Sequence, residues 1–221
     1  MLGLYRELVR LGREGLDFSK VTTFNLDEYV GLAHDHPGSY HHYMKTEFFD
    51  PVGIEPRQTN LLDGLASDIP GHCAEYEKRI RDCGGIDLQV LGLGENGHIA
   101  FNEPTSSLAS RTRLKTLAAF TLKSNQECWP SGEAMPSQVL TMGVGTIREA
   151  KACVLLAFGR RKAQAVAKMV EGPLSSMIPA SALQLHNDTT VIVDEEASLM
   201  LTLRDYYRSV RRGRPDWPHR D

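Results

Sequence analysis

Leu88-Gln-Val-Leu-Gly-Leu-Gly-Glu-Asn-Gly-His98-Ile-Ala-Phe-Asn-Glu103-Pro104 is the most informative run in the chain. Leu88–Leu93 reads as a buried strand, apolar except for Gln89, and it runs directly into a glycine turn and a histidine. In an open α/β sheet, ligands bind beyond the carboxyl ends of the strands, so polar chemistry there marks a site. Working outward, residues 72–83 read as a helix with Cys73, Tyr76, Ile80 and Cys83 on one stripe. Gly84-Gly85 supplies its stop. On the other side, Val139–Met142 and Cys153–Phe158 read as buried extended runs. A helix from Arg160 to Glu171 follows and ends at Gly172, and Thr189–Asp194 is a further strand. Nearer the start, Leu4, Leu8 and Leu11 share one face of a helix, and Val21–Phe24 is a short extended run. Strands separated by helix-length segments imply an α/β fold: a Rossmann-like parallel sheet flanked by helices on both faces.

Composition narrows the function. The chain has 221 residues and a formal net charge of −3, which argues against general nucleic-acid binding, since that requires a basic face. No run of 18 apolar residues is present, so no membrane span is expected. The N-terminus lacks a basic-then-apolar leader pattern. Cys73, Cys83, Cys128 and Cys153 are widely spaced, which reads as free thiols in a reducing cytoplasm. No internal repeat or low-complexity linker breaks the chain.

Three stretches carry chemistry. In the first, Gly92, Gly94 and Gly97 permit a tight turn and close ligand approach. His98 exchanges protons near neutral pH, and Glu103 is placed to orient it. The same residues also fit a plain glycine turn with a structural histidine. A dinucleotide site is set aside because the acidic residue expected on a second strand is not evident. In the second, Asp27 and Glu28 follow the extended run. Adjacent side chains on extended backbone point to opposite sides, so at most one faces a given cleft; a solvated surface acid pair is the alternative. In the third, Phe158-Gly-Arg-Arg-Lys162-Ala joins a strand to a helix. It reads either as an anion site, from backbone N–H groups and cations, or as a solvated basic turn. His34, His36, His41 and His42 lie in a loop without metal-ligand spacing, so no metal is expected.

The residues Phe24-Asn-Leu-Asp-Glu-Tyr-Val-Gly-Leu32, Gly97-His-Ile-Ala-Phe-Asn-Glu-Pro104 and Leu140-Thr-Met-Gly-Val-Gly-Thr-Ile147 closely resemble the glucosamine-6-phosphate deaminase family. Gln184-Leu-His-Asn and Val191-Ile-Val-Asp-Glu fit as well. The resemblance covers residues 1–207 as one α/β domain and leaves 208–221 as a basic tail. Pro215 and Pro218 discourage a helix there, and a solvated, disordered end is expected.

What the resemblance implies is conversion of glucosamine 6-phosphate and water to fructose 6-phosphate and ammonia, without cofactor or metal. Asp27 takes the place of the base that moves a proton between C2 and C1. His98, oriented by Glu103 and aided by Asn96, shuttles the ring-opening proton. Gly92, Gly94 and Lys162 match substrate contacts. Many members carry aspartate at position 96, and the amide here implies an altered pH dependence. Leu122–Ser137 corresponds to a mobile lid, in which Glu127 stands where a phosphate-binding cation is usual. Ser106, Arg113, Lys115 and Thr116 match residues that bind the phosphate of an N-acetylglucosamine 6-phosphate activator between subunits, which implies a homo-oligomer, in that branch a hexamer. The family also carries a strand, a helix and a phosphate loop ahead of the helix that opens this chain. Their absence reads as a late start or a fragment. The rival readings are a 6-phosphogluconolactonase-like hydrolase and a non-catalytic sugar-phosphate sensor. Tyr29 and Phe101-Asn-Glu-Pro104 favour the deaminase over the first, and the Asp27, His98, Glu103 set favours it over the second.

Overall fold

The computed structural model describes residues 2–126, 129 and 132–212. Among the described residues, eight strands form three small sheets. Strands β1 (Thr23–Phe24) and β3 (Thr59–Asn60) pair in parallel. Strands β4 (Leu88–Gly92), β7 (Ala152–Ala157) and β8 (Thr189–Val193) form a parallel sheet in the order β4-β7-β8. Leu91 pairs with Leu155, and Leu155 with Val191, so one apolar row crosses this sheet. The periodicity predicts β1, β4, β7 and β8 of these parallel strands; β3, two residues long, carries no alternation to read. A third sheet is antiparallel, in the order β2 (Asp27–Tyr29), β6 (Gln138–Thr141), β5 (Arg113–Thr116). Its strands are three or four residues long, too short for alternation to show a partner or a direction.

The main core gathers Leu62, Tyr76, Leu91, Ile99, Leu140, Met142, Val144, Ile147, Leu155, Val166 and Met169, all essentially inaccessible to solvent. Tyr76 is completely buried, and its hydroxyl donates to the carbonyl of Asn25 at 2.7 Å and that of Asn60 at 3.2 Å. One phenol thereby ties together the two chain segments leaving β1 and β3. A second cluster, Tyr29, Phe101, Leu117 and Val139, lies under the antiparallel sheet.

The helices explain the remaining boundaries. Helix α1 (Leu2–Arg13) packs Tyr5, Leu8 and Val9 onto Met44, Phe48, Phe49 and Ile54, so the packing stripe includes Leu8 but is centred on Tyr5 and Val9. Helix α2 (Tyr40–Met44) begins at Ser39, whose Oγ accepts the His42 N–H at 3.0 Å. It runs on through a π-turn, Lys45–Phe49, into α3 (Asp50–Val52), which Gly53 ends at φ 74°. Helix α4 (Ile69–Asp82) is capped by Asp68, which accepts the Gly71 N–H at 3.0 Å. At its other end the N–H groups of Gly84 and Gly85 bond to the carbonyls of Arg81 and Ile80. Helix α5 spans Ala119–Gln126, α6 Val144–Arg148 and α7 Ala163–Val170. No helix among the described residues is long and apolar enough to cross a membrane.

Four expectations need correction. Cys83 does not join the buried stripe of α4; it is the C-cap and is exposed. In β4, Leu88 is exposed and Gln89 buried, because the strand's period of two places Gln89 on the same face as the core residue Leu91. The segment from Arg160 to Lys162 is a 3₁₀ turn, and α-helix begins only at Ala163. The tail is not irregular from Arg208, because helix α8 spans Arg204–Arg212. Arg204 and Arg208 both pair with Glu195, and the helix-breaking prolines lie beyond its end. Residues 213–221 lie outside the described residues.

Candidate active site

The turn that follows β4 holds the centre of the site. Gly97 adopts φ 85°, a conformation glycine reaches without strain. Its neighbour Gly94 has a different task. A Cβ there would come within 2.3 Å of the His98 ring, so only a bare backbone lets the imidazole lie across the turn. A Cβ at Gly92 would meet open space at the carboxyl end of β4. Ala100 and Thr105 both have positive φ, 50° and 77°, and they bracket the segment that carries Phe101, Asn102 and Glu103. Such backbone persists only where its surroundings fix it. Here Asn102, fully buried, donates from Nδ2 to the carbonyls of Ile99 (3.0 Å) and Met142 (2.8 Å) and accepts from Nη1 of Arg113 (2.9 Å).

His98, Asn96 and Glu103 meet as expected, but with different bonds. Nδ1 of His98 lies 3.7 Å from Oε2 of Glu103, an electrostatic contact beyond hydrogen-bond length. Asn96 donates to that same oxygen at 2.7 Å and accepts the backbone N–H of His98 at 3.3 Å. The amide thus holds Glu103 and the turn, not the imidazole ring. Nδ1 of His98 and Oε1 of Glu103 are buried without a partner, two polar atoms left for a ligand or for each other. Burial pulls the His98 pKa below its ordinary value; Glu103 opposes that and the charge of Lys162 adds to it. Lys162 is itself held below the usual lysine range, chiefly by burial, with Glu95 opposing.

Asp27 and Glu28 do face opposite ways, and neither is the surface acid of the alternative reading. Oδ1 of Asp27 accepts the Thr141 hydroxyl at 2.5 Å and the Phe101 N–H at 3.2 Å. Desolvation nevertheless lifts its pKa to about 7, with Glu28 adding to the rise. Glu28 is 1% exposed. Its carboxylate accepts the N–H groups of Tyr29, Tyr40 and His41 and faces Nδ1 of His41 at 2.9 Å, which fixes the start of α2. Phe101 brings the two halves of the site together: its N–H reaches Asp27, and it sits between His98 and Glu103 in the chain.

The backbone-anion reading at Gly159 does not hold, because its N–H already bonds both carboxylate oxygens of Asp194, at 3.0 and 3.1 Å. Lys162 remains as the cation facing His98. Of the four effector-type residues, Arg113 and Lys115 share one face of β5 and Thr116 points to the other, exposed. Ser106 is buried, with Oγ unpartnered. Among the loop histidines, His34 stacks on His41 at 3.8 Å and contacts Asp63, while His36 bonds Glu133 at 2.7 Å. Within the lid-like stretch, Trp129 packs against Tyr29, ring centroids 5.1 Å apart, and fills the space over Gly38. Glu127 lies outside the described residues.

Sequence reasoning missed Thr141, the Phe101 N–H, the capping role of Glu28 and the buried bridge at Asn102. All but Glu28 act across strands that are distant in sequence, and no local pattern announces them.

Comparison with known proteins follows the same lines. A family model described as glucosamine-6-phosphate isomerases/6-phosphogluconolactonase matches residues 2–192. The chain is 50% identical over 201 residues to a glucosamine-6-phosphate deaminase of Clostridium acetobutylicum, covering 90% of this chain and 83% of the relative. It is 49% identical over 217 residues to the deaminase of Rhodococcus opacus, covering 98% and 84%. Among solved structures it is similar to a monomeric glucosamine-6-phosphate deaminase, with TM-score 0.87 and 45% identity over 90% of this chain and 83% of that one. The 6-phosphogluconolactonase of Leishmania guyanensis shares the fold at 19% identity, TM-score 0.70, over 90% of this chain and 81% of that one.

Proposed function

This chain belongs to the glucosamine-6-phosphate isomerase/6-phosphogluconolactonase family, and from that premise we propose that it is a glucosamine-6-phosphate deaminase. The relatives at about half identity carry that name, whereas the lactonase is a distant relative that shares only the fold. The observation that carries the reading is one turn, residues 98–103, that bears a neutral imidazole and a carboxylate and binds a second carboxylate whose pKa is about 7. Aldose–ketose chemistry needs those parts: a base poised near the working pH and a separate proton shuttle.

The steps follow from these groups. His98, kept neutral by burial, takes the proton of the anomeric hydroxyl and returns it to the ring oxygen, which opens the sugar. Asp27 removes the proton from C2. The C–H electron pair becomes the C1–C2 double bond, and the C1 oxygen takes a proton from the C2 ammonium. Asp27 then delivers its proton to C1 while the nitrogen lone pair forms the imine. Water adds at C2 and ammonia leaves, giving fructose 6-phosphate. Glu103, held by Asn96, balances the transient imidazolium, and Lys162 supplies a cation for the phosphate. The reaction is thus a hydrolysis coupled to isomerisation, with no electron transfer.

Regulation by N-acetylglucosamine 6-phosphate rests on Arg113 and Lys115 sharing a face. It predicts that this activator shifts the substrate saturation curve; an unchanged curve sinks it. Ammonia release from glucosamine 6-phosphate tests the main reading, with Asp27→Asn as control. Release that the control abolishes supports the deaminase. A folded chain that releases none overturns it in favour of a sugar-phosphate sensor.

A further inference from the structure

We propose that Thr141 is a positioning residue for Asp27: together with the Phe101 N–H it occupies Oδ1, and it leaves Oδ2 as the oxygen that exchanges the proton. The inference rests on the deaminase reading and goes beyond it.

Register brings the groups together. In the antiparallel sheet, Asp27 of β2 lies directly opposite Thr141 of β6, and Thr141 directly opposite Arg113 of β5. Residues directly opposite one another project to the same face. The 98–103 turn crosses that face and touches all three side chains. The Phe101 N–H reaches Asp27 and Thr141, and Asn102 accepts from Arg113.

The polarity of the Thr141 hydroxyl is then set. Its oxygen accepts the Phe101 N–H at 3.1 Å, so its single proton points elsewhere. Asp27 Oδ1 stands at 2.5 Å and the carbonyl of Met142 at 3.4 Å, so the proton goes to Asp27. Thr141 is completely buried, so its hydroxyl is out of reach of bulk solvent. Oδ1 therefore holds two donors. Oδ2 has no hydrogen-bond partner among the described residues and is not among the buried orphan atoms. A carboxylate anchored by one oxygen keeps its other oxygen at a fixed point over the reacting carbons, which the transfer from C2 to C1 requires.

The same bond tunes the group. Burial raises the Asp27 pKa, and the Thr141 and Phe101 donors pull it back by favouring the carboxylate. The other groups facing it do not help ionisation: Glu28 and Tyr29 on its own strand, Tyr40 on α2 and Tyr76 on α4. Arg113 spends its Nη1 on Asn102 and on the Arg111 carbonyl. Thr141 thus supplies the one side-chain donor to this carboxylate among the described residues.

The test is the pH dependence of ammonia release by the full chain, for the wild type, Thr141→Val and Thr141→Ser. Losing a hydrogen bond to a charged group moves the acid limb of Thr141→Val upward by about one pH unit. Turnover at pH 7 then falls about fivefold from ionisation alone, and that part of the loss is recovered by pH 9.5, while any loss from a misplaced Oδ2 remains at every pH. Thr141→Ser, which keeps the hydroxyl, retains the wild-type acid limb. A Thr141→Val limb that does not move, an equal loss at every pH, or a Thr141→Ser profile matching the valine variant overturns the proposal. If the valine variant does not fold, Thr141→Ala against Thr141→Ser makes the same comparison. The Asp27 carboxyl can also be titrated by carbon-13 NMR without substrate, and the same upward shift is expected in the valine or alanine variant. An inactive wild type whose Asp27 shifts this way fails the deaminase reading alone, and an active wild type whose Asp27 does not shift fails the Thr141 inference alone.

Discussion

Asp27 and Glu28 are consecutive on one three-residue strand and have opposite roles. Glu28 is turned inward, where three backbone N–H groups and a histidine surround its charge. Asp27 is turned toward the 98–103 turn with two donors on one oxygen, and burial leaves it half-ionised near neutrality. The difference arises from the alternation of side chains along extended backbone and from what each face packs against. Glu28 spends its oxygens on the backbone donors that begin α2, whereas Asp27, desolvated and with donors on one oxygen only, is poised to exchange a proton.

Turnover falls as pH drops below about 7, because Asp27 takes up a proton and can no longer act as base. His98 adds no protonation at the upper end of this window, since its pKa is depressed. A pH–rate profile of ammonia release shows an acid limb near 7, and Asp27→Asn lowers the rate about 10³-fold. A limb near 4 would contradict the burial of Asp27.

Asp27 also makes stability depend on pH. Its folded pKa lies above its unfolded one, so this group's contribution is fully present below about pH 4 and is lost as pH rises to about 7. Asp27→Asn carries no charge to desolvate. Its melting temperature therefore gains on wild type between pH 5 and pH 8, by several °C at the upper end. A constant difference across that range would show that the charge is solvated.

Gly94→Ala drives a methyl into the His98 ring, where the built Cβ stands 2.3 Å from two ring atoms. The ring must swing away, and a displacement of that size costs about 10²-fold in kcat. The Gly94 N–H bond to the His98 carbonyl survives, so the melting temperature changes little. Kinetics and a thermal melt of one variant separate the two effects.

Asn96→Asp replaces a 2.7 Å hydrogen bond to Glu103 with two carboxylates in contact. The two carboxylates repel each other, so one pKa of the pair rises; above that pKa the site carries one more negative charge than wild type, and the His98 pKa rises. NMR titration of the His98 ring protons follows this directly. An unchanged His98 titration would mean that Asn96 does not govern the charge around the imidazole.

Glu28→Ala leaves the N–H groups of Tyr29, Tyr40 and His41 without their acceptor. Orphaning several buried donors costs about 3 kcal/mol or more. Urea denaturation measures it, and a loss below about 1 kcal/mol would show that water replaces the carboxylate.

Four of the five parallel strands, the helix stops, the glycine turn and the chemistry of its residues were legible in the sequence. Each is written in local spacing: apolar runs ending in glycine, Gly84-Gly85 after a helical stripe, His98 five residues before Glu103. The sequence also determined that only one of Asp27 and Glu28 faces the site. Why the pKa of Asp27 sits near 7 was decided by the antiparallel sheet, whose register sets Thr141, 114 residues away in the chain, against Asp27. The burial of Gln89 in place of Leu88, set by which face of β4 packs on the core, and the pairing of Glu195 with Arg204 and Arg208 also became visible only in the packed chain. Local sequence fixes which groups a segment offers; burial and the partners met across the fold fix their charge and their use, because desolvation and hydrogen bonding depend on neighbours that the chain brings together only when it packs.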